Sequence, residues 1–251
     1  MRHGGKAFIV GRKLDKLAQA AKELSSATGG QSCSYASADV RDKDALKKAV
    51  EKCVQEFGRI DFVICGAAGN FLSPISGVSE NAFRTVLEID TLGTYNTIKA
   101  TLPHIRESRG AYIHVSATLH YRGLPYQVHV SAAKAAVDAL SNVLAVEEGP
   151  RGVRSNVIAP GPIADTAGFD RLSTSSDQKQ SVQSRFPLGR YGSTKDIQNA
   201  TVFLFSEAAN WVTGQIIAVD GGELHTSQGM VPNYPQNVLD PESMKHLVPR
   251  L

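Results

Sequence analysis

Residues 111–139, AYIHVSATLHYRGLPYQVHVSAAKAAVDA, decide how the rest of the chain is read. Tyr112, Ile113, Val115 and Ala117 fit a strand, a polar connection follows, and the alanine-rich run around Lys134 is a good helix former. Lys134 therefore stands in the early turns of a helix that follows a strand. Close to it in sequence are Ser116, Thr118, His120, Tyr121, Tyr126, His129 and Ser131, all able to exchange protons or hydrogen bonds. One reading makes Lys134 a solvated surface lysine. The other follows from Ala132, Ala133, Ala135 and Ala136, which suggest close packing against something flat. A lysine in that setting needs a carboxylate, a cofactor hydroxyl or a phosphate as partner.

Working outward, the same alternation recurs along the chain. Residues 6–10 form a short apolar strand ending at Gly11 and Arg12, and Leu14, Leu17, Ala21 and Leu24 then keep helical spacing until Gly29 and Gly30. A second strand at 32–38 ends in Asp39 and Val40, and a helix at 43–57 is closed by Gly58. Residues 60–64 are apolar apart from Asp61, as in a strand covered on both faces. The small residues of CGAAGN, 65–70, follow at once. A strand's C-terminal end is where open α/β sheets bind ligands, although a plain tight turn would look the same.

The spacing of Phe83, Val86, Leu87, Leu92 and Ile98 predicts a long helix over 79–102, interrupted by Asp90. That carboxylate either faces solvent or, given its apolar and small neighbours, is packed and in need of donors. Residues 153–158 are another strand, broken by APGPIADT. Polar residues 164–183 look like a loop or lid, 194–206 like a helix capped at Ser193 or Thr194, and 216–219 like the last strand. The pattern is α/β: a Rossmann-like doubly wound parallel sheet with helices on both faces. Residues 1–222 would be one domain and 223–251 an irregular extension.

Composition narrows the function classes. The 251 residues carry a net charge of only +3 with no long Lys/Arg cluster, which gives no support for nucleic-acid binding but suits an anionic small substrate. Cys33, Cys53 and Cys65 are odd in number and widely spaced, so no disulfide framework is expected. No apolar run reaches membrane-spanning length, and no metal site is expected. An intracellular, soluble protein is anticipated.

Four stretches then carry a resemblance: CGAAGNF, EIDTLGTYN, SATLHYRGLPYQVHVSAAKAAVDAL and VIAPGPIADTAG. Together they resemble the short-chain dehydrogenase/reductase family, and within it the branch that reduces 2,4-dienoyl-CoA thioesters in peroxisomes. The family's usual catalytic tyrosine and serine would fall on Val130 and Ala117, neither of which can donate a proton. The resemblance implies instead that Asp90 and Lys134 hold a water that delivers a proton to carbon. It further implies NADPH as cofactor, with Arg12 at the 2′-phosphate and Asp39 and Val40 flanking the adenine. Ala67, Ala68 and Gly69 would pass beside the adenosine ribose, Lys134 would bond the nicotinamide ribose, and Pro160, Gly161 and Ile163 would meet the nicotinamide. Asn70, Phe71, Ser116 and Thr118 would face the acyl-CoA substrate.

The implied product is trans-3-enoyl-CoA. The alternatives are reduction of trans-2-enoyl-CoA or another activated alkene, and a non-catalytic role as subunit partner. A homotetramer or homodimer is expected, and Pro249, Arg250 and Leu251 resemble at their last two residues the tripeptide read by the peroxisomal import receptor; the cytoplasm is the alternative compartment. The family opens with a strand and a glycine-rich turn that holds pyrophosphate. Here no such turn occurs, and residues 1–4 align with the end of the following helix. The sheet is therefore expected to lack a strand between those at 6–10 and 60–64.

Overall fold

The structure is a computed structural model that describes residues 1–30, 32–166, 168–169 and 186–226. Most of the expected loop at 164–183, and the extension from 227 onward with its terminal tripeptide, lie outside the described residues. Among those described, strands and helices alternate as anticipated: β1 (Ala7–Gly11), α1 (Leu14–Ala27), β2 (Cys33–Ser37), α2 (Lys43–Phe57) and β3 (Phe62–Cys65). There follow α3 (Glu80–Leu87), α4 (Gly93–Ser108), β4 (Ala111–Val115), α5 (Val128–Glu148), β5 (Arg154–Pro160), α6 (Thr194–Phe205) and β6 (Ile216–Val219).

Local chemistry sets several of these boundaries. Asp42 caps α2 by accepting from the Asp44 and Ala45 amides, and Gly58 ends it at φ 83°. Ser193 and Asp196 close a reciprocal capping box on α6. Gly110 precedes β4 because a Cβ there would lie 2.0 Å from the Asp61 carbonyl oxygen. Strand β5 runs two residues further than its sequence suggested, ending on Pro160, where a missing N–H costs the ladder least.

All strand pairs are parallel, and the order β3-β4-β5-β6 makes one sheet. Strands β4 and β5 are its covered centre. One face packs Tyr112 and Val153 with Cys53, Ile98, Ile105 and Leu144 from α2, α4 and α5. The other packs Ile113 and Ile158 against Leu204 and Ala209, beside α6. Helices thus cover both faces, and the strand C-termini converge at one end.

The sheet is broken where a strand was expected to be absent. β1 pairs only with β2, and among the described residues nothing joins β1 to β3. Val10, Phe62 and Ile64 stand 43, 48 and 53 % exposed along this break, although Phe8 still packs against the cluster that holds Val63. A parallel pair without further strands is marginal by itself. Amides of β1 and β2 should therefore exchange with solvent roughly tenfold or more faster than those of β4 and β5. Hydrogen exchange read by mass spectrometry checks this; uniform protection across both sheets would show that the break carries no energetic weight.

Candidate active site

The single long helix expected over 79–102 is not continuous. Between α3 and α4 the chain makes a π-helical turn, Glu88–Leu92, and Asp90 sits in it. Widened turns of this kind re-aim a side chain at the cost of regular hydrogen bonding. Asp90 is 0 % exposed, so the solvent-facing alternative is excluded. The turn is tied to α5 by Thr91 Oγ1, which donates to the Ala133 carbonyl at 3.2 Å. Gly93 then begins α4 against Val40, whose Cγ2 would lie 2.4 Å from any added Cβ.

The two groups expected to act together do meet. Asp90 Oδ2 accepts from the Gly69 amide at 2.7 Å, and Oδ1 lies 3.0 Å from Lys134 Nζ. Lys134 is 6 % exposed and donates to the Val115 carbonyl at 2.9 Å. The ammonium thus ties the end of β4 to the π turn, and the solvated reading of Lys134 also fails. Oδ1 is close to Nζ but off a hydrogen-bonding line, so this buried oxygen keeps capacity for another donor. Of the three ammonium protons, the one given to the Val115 carbonyl is hydrogen-bonded within the described residues.

Around this pair the strand ends supply a shelf. Gly66, Ala67 and Ala68 are exposed past β3, and Gly69 and Asn70 follow half-buried. Asn70 Nδ2 donates to Gln127 Oε1 at 2.9 Å, and its Oδ1 accepts from the Phe71 amide. The His129 ring stacks on Phe71 with centroids 4.0 Å apart and planes 9° from parallel, while Nε2 reaches the Phe71 carbonyl at 3.0 Å. Burial pushes the His129 pKa below the usual imidazole range, which keeps the ring neutral in this stack. Phe71 packs in a small core with Val86, Val130 and Ala133. Val130, at the family's tyrosine position, is 2 % exposed and offers no phenol.

Ser116 and Thr118 are buried past β4; their amides donate to the Ile158 and Pro160 carbonyls. The Gly161 amide donates to the Val219 carbonyl, and a Cβ there would press on Asp220 at 2.9 Å. Ile163 forms an isolated bridge with Gly192. At the ends of β1 and β2 lies a separate group: Arg12, Asp39 and Val40. Ser37 Oγ donates to the Arg12 carbonyl, and Arg41 clamps Asp39 through Nε and Nη2 at 3.0 and 2.7 Å. The Arg41 hydrogen bonds hold the Asp39 carboxyl down at about 2, with Arg12 contributing. The Asn96 side chain donates to the Val40 carbonyl at 3.0 Å, fixing that loop to α4.

Arg41 and Gln127 escaped the sequence reading. Arg41 had a visible signal, a base two residues after an acid at a strand end. Gln127 had none, since its role depends on a partner 57 positions away. A cavity of about 650 Å³ lined by Arg59, Phe62, Arg154 and Trp211 shares no residue with the Asp90–Lys134 site.

Residues 1–223 match the family model described as enoyl-(acyl carrier protein) reductase. The chain belongs to the short-chain dehydrogenase/reductases. This short-chain reductase is 49 % identical over 224 residues to the peroxisomal 2,4-dienoyl-CoA reductase of Saccharomyces cerevisiae, covering 88 % of this chain and 76 % of that one. It is 45 % identical over 228 residues to the protein of the same description from Danio rerio, covering 90 and 76 %. Among solved structures, a short-chain dehydrogenase from Bacillus anthracis superposes with a TM-score of 0.80 at 33 % identity, covering 93 % of this chain and 90 % of that one. Membership makes the protein an oxidoreductase of the nicotinamide-dependent kind.

The residues present fit the two ends of such a dinucleotide. The unspent donors of Lys134 suit the nicotinamide ribose end, and Arg12, beside the Asp39–Arg41 pair, suits the adenosine end. Among the described residues no glycine-rich turn serves the pyrophosphate between them.

Proposed function

We propose that this short-chain reductase converts 2,4-dienoyl-CoA to trans-3-enoyl-CoA with NADPH, in the peroxisomal oxidation of unsaturated acyl chains. The observation that carries the reading is the buried Asp90–Lys134 pair beside a position, Val130, that has lost the phenol of oxygen-directed chemistry. Relatives 49 and 45 % identical are named for this reaction and this compartment.

When bound, NADPH would supply a hydride to the far end of the diene, with Lys134 holding its nicotinamide ribose. What the protein must then do is place a proton on the α carbon. Asp90 Oδ1 and Lys134 Nζ, 3.0 Å apart, together can orient one water for that transfer. The ammonium's charge also favours negative charge developing on the thioester. Ser116, Thr118, Asn70 and Phe71 line the substrate side. Loss of diene absorbance on mixing the protein with NADPH and a dienoyl-CoA tests the reading; equal or faster turnover of a simple trans-2-enoyl-CoA would favour the alternative reductase.

NADPH is preferred to NADH because the end of β1 carries Arg12 and no carboxylate, and a guanidinium fork pairs well with a 2′-phosphate. An Arg12→Glu variant should lose about tenfold or more in NADPH affinity and little in NADH affinity. Fluorescence titration with both cofactors checks this, and parallel losses would remove Arg12 from the role. Homo-oligomers are expected through α4 and α5, where Tyr95, Val143 and Val146 are exposed, together with Leu92 just before α4.

A further inference from the structure

One turn beyond Lys134 on α5 stands a second buried carboxylate that the proposed chemistry does not use. Asp138 is 5 % exposed. Its Oδ2 accepts from the Tyr121 hydroxyl at 2.6 Å and lies 2.8 Å from His120 Nε2. Both partners come from the short 3-10 turn Leu119–Tyr121, in the connection between β4 and α5. The Tyr121 and His120 rings lie with centroids 4.0 Å apart, tilted by 44°, and the carboxylate holds both.

Unsatisfied polar atoms collect around this unit. Asp138 Oδ1, His120 Nδ1, His114 Nδ1 and Ser116 Oγ are all buried without a partner among the described residues. Two electrostatic effects place them near one another. Burial pushes the His114 pKa down to about 4, and Asp138 works against that fall. Burial and then Asp138 push the Tyr121 phenol well above its usual range, and Ser116 works against that rise. The Tyr121 hydroxyl spends its proton on Asp138, at 2.6 Å.

The segment carrying Ser116 and Thr118 is pinned from two directions. Its amides donate to β5 at 2.8 and 3.1 Å, and its far end is clamped by Asp138 through Tyr121 and His120. The residue before it, Val115, takes the hydrogen bond from Lys134. We infer that Asp138 is a positioning residue for the thioester: acting through Tyr121 and His120, it holds the segment that follows Val115, the acceptor of the Lys134 hydrogen bond, so that the unpartnered Ser116 hydroxyl meets the acyl-CoA carbonyl. This rests on the reading of the preceding subsection.

Steady-state kinetics of Tyr121→Phe, Asp138→Asn and His120→Gln test it. Tyr121→Phe and Asp138→Asn should raise KM for the dienoyl-CoA roughly tenfold, with the NADPH dissociation constant unchanged. His120→Gln alters the other contact to Asp138 and should raise KM in the same direction, by less than Tyr121→Phe does, since a side-chain amide can still donate toward the carboxylate. Tyr121→Phe removes one oxygen from a partly exposed ring and leaves Asp138 its His120 contact, so Tm should fall only slightly and the variant remains informative if Asp138→Asn folds poorly. An unchanged KM in Tyr121→Phe overturns the inference, as does a loss of activity that only tracks a fall in Tm. If the parent protein reduces no dienoyl-CoA, the functional reading fails on its own. Calorimetric binding of a saturated acyl-CoA to the parent and to Tyr121→Phe still decides the positioning role: weaker binding by the variant supports it, and equal binding sinks it.

Discussion

Asp90→Asn should lower turnover of a dienoyl-CoA by about 10²–10⁴-fold, while NADPH binding changes by less than about twofold. The substitution is close to isosteric, and an amide oxygen can still accept the Gly69 N–H that Asp90 Oδ2 takes at 2.7 Å. The shelf after β3 therefore keeps its shape. What disappears is the negative charge 3.0 Å from Lys134 and the acceptor that would hold a water against the ammonium. Val130 supplies no phenol for chemistry at oxygen. The variant should therefore gain no carbonyl reduction to offset the loss. Single-turnover kinetics with NADPH pre-bound separates the chemical step from binding, and near-normal turnover would remove Asp90 from proton delivery.

Why the pair forms at all shows how far the sequence could be read. Lys134 was identifiable because four alanines around it implied packing, and packing implied a partner. Strand and helix order followed from hydrophobic period alone, as the covered centre at Tyr112, Ile113, Val157 and Ile158 shows. The π turn at Glu88–Leu92 was not legible, because its residues keep an ordinary helical composition and the widening is set by contacts with α5 and the Gly69 amide. Arg41 on Asp39 and Gln127 on Asn70 were missed for related reasons: each depends on which loops the sheet brings together. Asp138 was hidden differently. In sequence it is one more polar residue on an alanine-rich helix, and only the Leu119–Tyr121 turn folding back over α5 makes it a clamp.

The second large effect concerns stability as much as rate. Lys134→Met keeps the aliphatic stem but leaves the Asp90 carboxylate, 0 % exposed, with a single amide donor. Removing one member of a buried ion pair typically costs about 3–5 kcal/mol. For a chain of this size that corresponds to a fall in Tm of roughly 6–20 °C. The Val115 carbonyl loses its donor as well, loosening the end of β4 from which Ser116 and Thr118 depart. Turnover should vanish together with the stability. The double variant Asp90→Asn/Lys134→Met separates the two effects: with no buried charge left unpaired, most of the lost Tm should return while activity stays absent. Calorimetry on the parent, both single variants and the double gives the coupling energy directly. Simple additivity of the two single losses in Tm would mean that Asp90 and Lys134 do not sense each other, and the proton-delivery scheme built on their contact would fall with that result.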